Sequence, residues 1–310
     1  MRTLRDLLKD YLAMRRSLGF KLHSTGDLMM SFVSFMEQRQ ADYITTLLAL
    51  EWANQTMSLQ PGRCGTRLNP VRSFARYCSA MDPRTEVPPF GLLPSHYARP
   101  TPYLFSAEDV SNLLRACLQS HPNESFVDRT MYCVLGLLSV AGLRISEALN
   151  LTLDDIDNDD GILLIRSAKF GKFRFVPMHS TTVAVLTSYQ RLRESLLAGR
   201  RVPHLFLNAK AARLTYEQAN DQFHRLSEKA GLPSRSASRR PHLHDLRHHF
   251  AMSTLMNWYR DGQDIEQRLP VLSAFLGHVQ ISNTYWYLSA CPDLLGVAKE
   301  RLERRWEHTS

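Results

Sequence analysis

The chain of 310 residues is long enough for two ordinary domains with hydrophobic cores. Its composition, 44% hydrophobic and 22% charged, excludes a low-complexity or disordered protein, and its net charge of +8 favours a polyanionic partner without selecting one. The five cysteines are widely spaced and form no C-x-x-C pair, which indicates neither a disulfide framework nor a zinc site.

The first 80 residues predict four helices. Apolar residues between positions 4 and 18 recur at helical spacing, and Gly19 ends that helix. A second apolar face spans residues 28–36, and a third helix begins with Thr45 or Thr46 as its cap. The fourth runs through residues 68–78. The chain start carries no apolar signal core and no run reaches a membrane span, so we expect a cytoplasmic protein with no membrane partner.

The fourth helix carries four arginines on what the sequence indicates is its second face. No acidic residue lies near them, and this crowding of like charge favours contact with phosphate groups. A face that is simply solvated is the alternative. The four residues are Arg63, Arg67, Arg72 and Arg76.

A proline-rich segment follows. Six prolines lie between residues 83 and 102, where hydrophobic periodicity is weak. Prolines break helices and stiffen extended chain, so residues 84–103 are predicted to be an interdomain linker. The expected domains are therefore residues 1–83, which are helical, and residues 104–310.

The second domain predicts helices around a small antiparallel sheet. Ser106 is the expected N-cap of its first helix. A β-rich run at residues 162–165 and a return strand at 173–176 form a hairpin, with Arg174 on the other face of the return strand. Further helices are expected at residues 126–140, 180–197, 216–230 and 244–258, just before Gly277, and from about Cys291.

Two arginine motifs indicate binding of a phosphate. A guanidinium offers planar, permanently charged donors that fit two phosphate oxygens, which makes Arg144 in Ala-Gly-Leu-Arg-Ile-Ser-Glu a candidate beside the alternative of a structural salt bridge. Glu147, one helical turn later, can orient Arg144. His244 and Arg247 are three residues apart on a predicted helix, so they project from nearly the same face. The following residues His248 and His249 are interpreted either as packing residues or as residues that support the catalytic side chains from behind.

A histidine and a tyrosine complete the set. His278 follows Gly277, which permits a sharp turn, although a lone histidine there is more often a surface or core residue. The order Arg144, His244-x-x-Arg247, Leu-Gly-His278 and Tyr287 closely resembles the tyrosine recombinase family, also called the lambda-integrase-type or phage integrase family, over roughly residues 104–290. Two features select the residue that corresponds to the family's nucleophile. Tyr287 follows His278 at the spacing that the family uses, and Ile-Ser-Asn-Thr precedes it as in the family, so Tyr287 is favoured over Tyr285 and Tyr259.

The resemblance implies a function and a site. It implies a site-specific DNA recombinase that acts through a 3′-phosphotyrosyl intermediate in integration, excision or transposition of a mobile element. Tyr287 would attack the scissile phosphate and His244 would accept its proton. Arg144 and Arg247 would hold the non-bridging oxygens, His278 would add a hydrogen bond, and Lys169 on the hairpin, favoured over Lys172 by its spacing from Val-Pro, would protonate the leaving 5′ oxygen. Arg239 and Arg240 are further expected DNA contacts.

The resemblance also implies a fold and partners. It implies a mainly α protein, with an N-terminal four-helix, SAM-like core-binding domain and a mixed α/β catalytic domain. Double-stranded DNA with specific sites would be bound by a homotetramer at the nucleoid in a bacterial cytoplasm, and other recombinase or directionality subunits are further candidate partners. The interval between Arg247 and His278 is longer than the family's, and the excess near residues 258–269 predicts a longer surface loop.

No metal or cofactor is expected. The histidines around His244 have arginine neighbours that would repel a cation, and the two arginines would replace a metal as charge stabilisers. Two other functions stay open: a type IB topoisomerase, which shares the chemistry but relaxes supercoils, and a non-catalytic DNA-binding accessory protein.

Overall fold

The computed structural model of the protein describes residues 2–55, 61–93, 102–119, 126–166, 173–232 and 240–290, together with Gly296, Lys299 and Glu303. The chain divides into two compact units, Met1–Pro100 and Thr101–Ser310. The prediction of a mainly helical protein with one small antiparallel sheet is confirmed.

The first unit contains the four predicted helices. Thr3 caps the first by accepting from the backbone of Asp6, and Thr45, rather than Thr46, caps the third. The first helix ends at Ser17, and Gly19 follows with φ +88°, a conformation that glycine adopts without strain. The helices are α1 (Leu4–Ser17), α2 (His23–Gln38), α3 (Thr46–Asn54) and α4 (Pro61–Ser79).

The predicted linker begins inside the first unit. The Glu86 backbone N–H donates to the Ile44 carbonyl at 2.8 Å, and the Glu86 carboxylate accepts from the Thr46 N–H at 2.8 Å. Val87 and Leu93 pack against the apolar core of the four helices. Residues 84–93 are therefore a packed part of this unit rather than a free connection.

The second unit begins with the predicted Ser106 capping box and is mostly helical. Its apolar core lies between the helices and the buried face of the sheet. Helix α10 packs against α6, and α11 contacts β3, α10 and α12. The helices are α5 (Ala107–Leu118), α6 (Phe126–Ala141), α7 (Ile145–Ala148), α8 (Ser180–Leu197), α9 (Tyr216–Lys229), α10 (Leu243–Arg260), α11 (Ile265–Leu276) and α12 (Ser282–Ala290).

The sheet has the order β1-β2-β3 and is antiparallel throughout. Its strands are β1 (Ile156–Asp157), β2 (Ile162–Arg166) and β3 (Phe173–Pro177). In β3, Val176 is fully buried, whereas Phe173 and Phe175 are exposed. Because side chains alternate along a strand, Arg174 shares the inner face with Val176. The sequence pattern placed Arg174 on the face of the strand opposite to Phe173, Phe175 and Val176. This prediction is wrong for Val176, which shares its face with Arg174.

One expectation about the end of the second unit, the longer surface loop, is wrong. Helix α10 continues to Arg260, and Asp264 caps α11 only four residues later, so the additional residues extend helices instead of a surface loop. Most of the last predicted helix, from about Cys291, lies outside the described residues, although Gly296, Lys299 and Glu303 are described as helical. A helix that the sequence did not predict, α12, begins at Ser282 and carries Tyr287. It packs on the apolar cluster formed by α10 and α11.

Candidate functional site

The carboxyl end of α11 is where the predicted site residues meet. The last carbonyls of a helix lack partners within it and carry partial negative charge, so cations are stabilised there. Three successive carbonyls at this end each accept a hydrogen bond from a different arginine. Phe275 accepts from Arg174 Nε at 2.8 Å, Leu276 from Arg247 Nη2 at 2.7 Å, and Gly277 from Arg144 Nη2 at 2.8 Å.

Gly277 ends α11 in the left-handed conformation, with φ +66°, and the chain then turns into His278. A Cβ at this position would lie 2.8 Å from Arg174 Nη1. Glycine is therefore required both by the backbone conformation and by the close approach of an arginine.

Glu147 joins two of the arginines. Arg144 Nη1 donates to its Oε1 at 2.7 Å, and Arg174 donates to both carboxylate oxygens, at 3.0 and 2.8 Å. Burial by itself raises the pKa of Glu147, but the hydrogen bonds and charges of Arg174 and Arg144 outweigh it and lower the pKa to about 2. The carboxylate is therefore ionised at neutral pH, and the two arginines with it carry a net charge of +1.

Arg247 is the most deeply buried of the arginines, with 1% of its surface exposed. Its Nη1 donates to the Gly142 carbonyl at 2.7 Å, which ties α10 to the turn before Arg144. Burial, together with the nearby positive charge of Arg144, lowers the pKa of Arg247 to about 10. This guanidinium is thus held, at a cost in solvation, at a place where an anion would be favourable.

The histidines of α10 lead to the predicted nucleophile. His244 is exposed, and its ring centroid lies 4.7 Å from that of His248, one helical turn later. His248 Nδ1 forms a 3.1 Å hydrogen bond with the Tyr287 hydroxyl. His244, His248 and Tyr287 therefore form a continuous row of side chains.

His278 also packs against Tyr287. The two rings are stacked at a centroid distance of 6.2 Å, and His278 Nδ1 forms a 2.7 Å hydrogen bond with the hydroxyl of the fully buried Thr284. Tyr287 is 2% exposed and Tyr285 is 48% exposed. Two residues correspond to about 200° of helix, so these tyrosines lie on opposite sides of α12.

The arrangement supplies three guanidinium groups, three imidazoles and one phenol, but the described residues contain no group of three or more histidine, cysteine or acidic residues that could hold a metal ion. Within the same residues, no helix has both the length and the apolar character needed to cross a membrane. Such a set of permanent cations beside a phenol is suited to binding and attacking a phosphodiester.

Comparison with known proteins identifies the family. The model of the phage integrase family matches residues 104–292. A putative integrase/recombinase of Sinorhizobium fredii (strain NBRC 101917 / NGR234), y4rB, is 46% identical to this chain over 99% of both proteins. The tyrosine recombinase XerD of Brucella abortus is 31% identical, over 80% of this chain and 77% of its own length.

The chain belongs to the phage integrase family of tyrosine recombinases.

Solved structures agree with this fold. The Tn1549 transposon integrase, solved with transposon right end DNA, has a TM-score of 0.70 at 18% identity, covering 98% of this chain and 99% of its own. A lambda integrase tetramer bound to a Holliday junction has a TM-score of 0.63 at 17% identity, covering 91% and 77%. The family model and the XerD relative confirm the predicted class, a tyrosine-type site-specific recombinase, at the level of the family.

The structure brings five of the six predicted catalytic residues of the recombinase into one region: Arg144, His244, Arg247, His278 and Tyr287. Glu147 contacts Arg144 as predicted. Lys169 and Arg239 lie outside the described residues, and Arg240 is exposed just before α10.

The predicted arginine face of α4 needs correction. Arg72 is 6% exposed and donates to the carbonyls of Pro88 and Pro89, so its guanidinium is already engaged. Arg67 is half-buried over the Trp52 ring, 4.2 Å from its centroid. Their five-residue separation corresponds to about 140° around a helix, so Arg67 and Arg72 do not lie on the same face of α4. Arg76 is exposed. Arg63 belongs to α4, but its side chain lies outside what the structure describes.

Arg174 was not predicted as a site residue, and His248 was predicted only as a packing or supporting residue, without its contact with Tyr287. Arg174 could have been suspected because a charged residue alternates with buried Val176 on the inner face of β3. His248 follows His244 by four residues, which places it on the same side of α10. Neither position indicates its partner, because those partners lie 27 to 101 residues away from Arg174 and 39 residues away from His248.

Glu147 is expected to contribute to the pH dependence of stability. The folded recombinase lowers the pKa of this carboxyl from 4.5 to about 2, so its stabilisation is fully present above pH 4.5 and is lost as the pH falls towards 2. The shift corresponds to about 3 kcal/mol. Glu147→Gln should therefore lower the free energy of unfolding by that order at pH 7, and the difference from the native protein should narrow below pH 4.5.

Urea unfolding between pH 7 and pH 3 measures this difference. Glu228→Gln, at an exposed position of α9, is the matched control and should leave the profile unchanged. A gap between Glu147→Gln and the native protein that stays constant down to pH 3 would show that the ion pairs with Arg144 and Arg174 do not stabilise the fold.

Proposed function

We propose that this recombinase cleaves and rejoins DNA through a 3′-phosphotyrosyl intermediate formed by Tyr287. The observation that carries the proposal is the convergence at the end of α11. Arg144 and Arg247 donate to neighbouring carbonyls of that turn, His278 follows it directly, and Tyr287 stacks on His278. One phosphate next to this turn would meet the charge stabilisers and the nucleophile together.

In the proposed reaction the Tyr287 oxygen bonds to phosphorus, and the bond from phosphorus to the 5′ oxygen breaks. The ordinary pKa of a tyrosine is near 10, so a base is needed at neutral pH. His244 takes that proton, and Lys169 gives one to the leaving 5′ oxygen. The reverse reaction restores a phosphodiester with a different 5′ hydroxyl. Because the phosphotyrosyl link retains the bond energy, no ATP is consumed.

Arg144 and Arg247 would divide the task of stabilising charge. The side chain of Arg144 is 36% exposed, which lets its remaining N–H groups reach a non-bridging oxygen. Arg247 is almost fully buried and carries a charge that burial disfavours. Negative charge that develops on the phosphate in the transition state compensates for that unfavourable burial. Both arginines therefore stabilise the transition state more than the ground state.

The buried position of Tyr287 implies a rearrangement. Its hydroxyl forms a hydrogen bond with His248, and 2% of the residue is exposed. Attack requires the same oxygen to face the phosphorus. DNA binding would therefore be accompanied by the breaking of the bond between Tyr287 and His248.

A suicide substrate tests the chemistry. In a duplex with a nick near the cleavage position, attack releases a short strand that carries the new 5′ hydroxyl. This strand dissociates, so religation cannot occur and the covalent complex accumulates. We expect an SDS-resistant protein–DNA adduct in EDTA and without ATP, with a free 5′ hydroxyl on the released strand. If the protein bound DNA but formed no adduct, it would be a non-catalytic DNA-binding factor. Loss of cleavage only on chelation would contradict the metal-free mechanism.

In the cell, the proposed reaction is integration or excision of a mobile element by a tetramer on two double-stranded DNA sites, at the bacterial nucleoid. Two similarities support this: the putative integrase/recombinase of Sinorhizobium fredii, which matches the whole chain, and the lambda integrase tetramer solved on a Holliday junction. Mapping the genomic DNA that the protein protects, and recombining two plasmid copies of that DNA, tests it. Dependence on a second protein would identify additional recombinase or directionality subunits.

A type IB topoisomerase activity is the second candidate, since it would use the same residues. Relaxation of supercoiled plasmids that lack the protected sequence, without strand exchange between sites, would favour it. Exchange confined to the protected sequence would favour recombination.

Binding of the DNA backbone by α4 gives a prediction of its own. Arg76 is exposed, so Arg76→Ala should weaken binding equally for specific and random DNA and reduce the slope of log K against log salt by about 0.9. Arg72 is buried against Pro88 and Pro89, so Arg72→Ala should leave the slope unchanged and lower the free energy of unfolding by about 2 kcal/mol. Salt titrations and urea unfolding of both variants separate the two roles, and the opposite pattern would contradict them.

A further inference from the structure

Arg174 occupies a central position behind the site. It comes from β3, and its three hydrogen bonds all point inward: to the Phe275 carbonyl at 2.8 Å and to both oxygens of Glu147. Its side chain is 14% exposed, against 36% for Arg144. Arg174 is thus oriented towards the protein, while Arg144, which shares the same carboxylate, is accessible from outside.

The charges of Arg144, Glu147 and Arg174 explain why a second arginine is needed beside Glu147. Glu147 orients Arg144 through a 2.7 Å hydrogen bond, but a carboxylate paired with a single arginine would cancel its charge. With Arg174 present, two positive charges share one negative charge, and the group keeps a net charge of +1. Because the Glu147 side chain is only 8% exposed, water does little to screen this interaction.

Arg174 also fixes the turn that carries His278. Its Nε holds the Phe275 carbonyl, two residues before Gly277, whose own carbonyl accepts from Arg144. A planar guanidinium can hold a carboxylate with two donors and a carbonyl with a third, whereas a lysine ammonium has no such fixed fork. Arg174 therefore connects the sheet, Glu147 and the end of α11 in one rigid geometry.

We propose that Arg174 is a positioning residue for DNA cleavage: it holds Glu147 and the last turn of α11 so that Arg144 is oriented, yet not neutralised, when it meets the scissile phosphate. This inference rests on the proposed phosphotyrosyl chemistry. It assigns to Arg174 no contact with DNA and no proton transfer.

A pair of substitutions tests it. Arg174→Met removes one positive charge and leaves Arg144 paired with Glu147 alone, so the single-turnover rate of adduct formation at saturating DNA should fall by about 100-fold. Adding Glu147→Gln to that variant removes the unbalanced carboxylate. The double variant should then cleave about tenfold faster than Arg174→Met. A structural role alone would make the double variant as slow as the single one or slower, and that result would overturn the proposal.

The matched control is Arg225→Met. Arg225 of α9 forms an ion pair with Asp128 of α6, whose side chain is as deeply buried as any carboxylate of this unit that the structure describes. The Arg225 side chain is more exposed than that of Arg174, 51% against 14%, but its loss likewise removes an ion pair to a buried carboxylate, away from the site. Adduct formation at saturating DNA should stay within about twofold of the native rate. A 100-fold loss in this control as well would show that any broken ion pair slows cleavage, which also overturns the proposal.

Folding and the underlying chemistry are checked separately. If circular dichroism shows that Arg174→Met is unfolded, Arg174→Lys takes its place, with an expected loss of about tenfold at saturating DNA and native affinity. An unchanged rate in that variant overturns the assignment. Absence of adduct with the native protein would instead reject the phosphotyrosyl chemistry and this inference with it, so the two failures are distinguishable.

Discussion

Tyr287→Phe is expected to abolish the covalent protein–DNA adduct while DNA affinity stays at its native value. The substitution removes only the hydroxyl that bonds to phosphorus, and loss of a nucleophile lowers the rate by more than about 10³-fold. The hydrogen bond with His248 is lost as well, which should lower the free energy of unfolding by about 1 kcal/mol. Gel electrophoresis of the suicide-substrate reaction under denaturing conditions measures the adduct.

Tyr285→Phe is the control for this experiment. Tyr285 is half exposed and lies on the opposite side of α12, so its hydroxyl is accessible but does not face His248 or His278. We expect adduct at the native level. Adduct formation that survives Tyr287→Phe and disappears in Tyr285→Phe would mean that accessibility, and not packing against the histidines, selects the nucleophile.

Gly142→Ala is expected to disrupt the fold and the site together. Gly142 has φ +57°, which is unfavourable for a residue with a Cβ, and a Cβ there would overlap the Phe250 ring and approach Leu276 Cδ2 to 2.9 Å. Strain and overpacking should lower the free energy of unfolding by about 2–4 kcal/mol. The Gly142 carbonyl accepts from Arg247, so displacement of this turn should also reduce adduct formation at saturating DNA.

Gly136→Ala is the matched control, six residues earlier in α6. Nothing lies within 4 Å of a Cβ at that position. Alanine in a helix loses less conformational entropy on folding than glycine, so this variant should be more stable by about 0.5–1 kcal/mol, with native cleavage. Urea unfolding and the suicide-substrate assay compare the two. Equal stability of Gly142→Ala and Gly136→Ala would falsify the packing that the structure describes around Arg247.

Much of the fold could be predicted because its signals are local. The apolar stripe of α1 ends at Gly19, and Ser106 caps α5 through a side chain three residues away from its partner. The residues that resemble the catalytic motifs lie in short, contiguous patterns around Arg144 and Arg247. Their meeting in space agrees with the prediction. The interval that lengthened α10 and α11 was misread because extra length by itself does not distinguish a loop from a longer helix.

The arginines show where local signals stop. On α4, the absence of acidic neighbours in sequence suggested a single basic face, but the proline segment covers Arg72 and the Trp52 ring covers Arg67. Whether an arginine faces solvent depends on which distant segment packs over it. That information is spread over contacts between residues far apart in the chain.

The sequence by itself determined the helical class, the small sheet, the family and the residues with the chemistry of phosphate binding, since each depends on spacing within one helix, strand or motif. Only the tertiary structure decided that three arginines from three elements share the end of α11, that Arg174 balances Glu147, and that His248 holds the Tyr287 hydroxyl. The physical reason is that a buried charge or carbonyl must find a partner wherever the packed elements place one. That partner is chosen by proximity in the fold and not by distance along the chain.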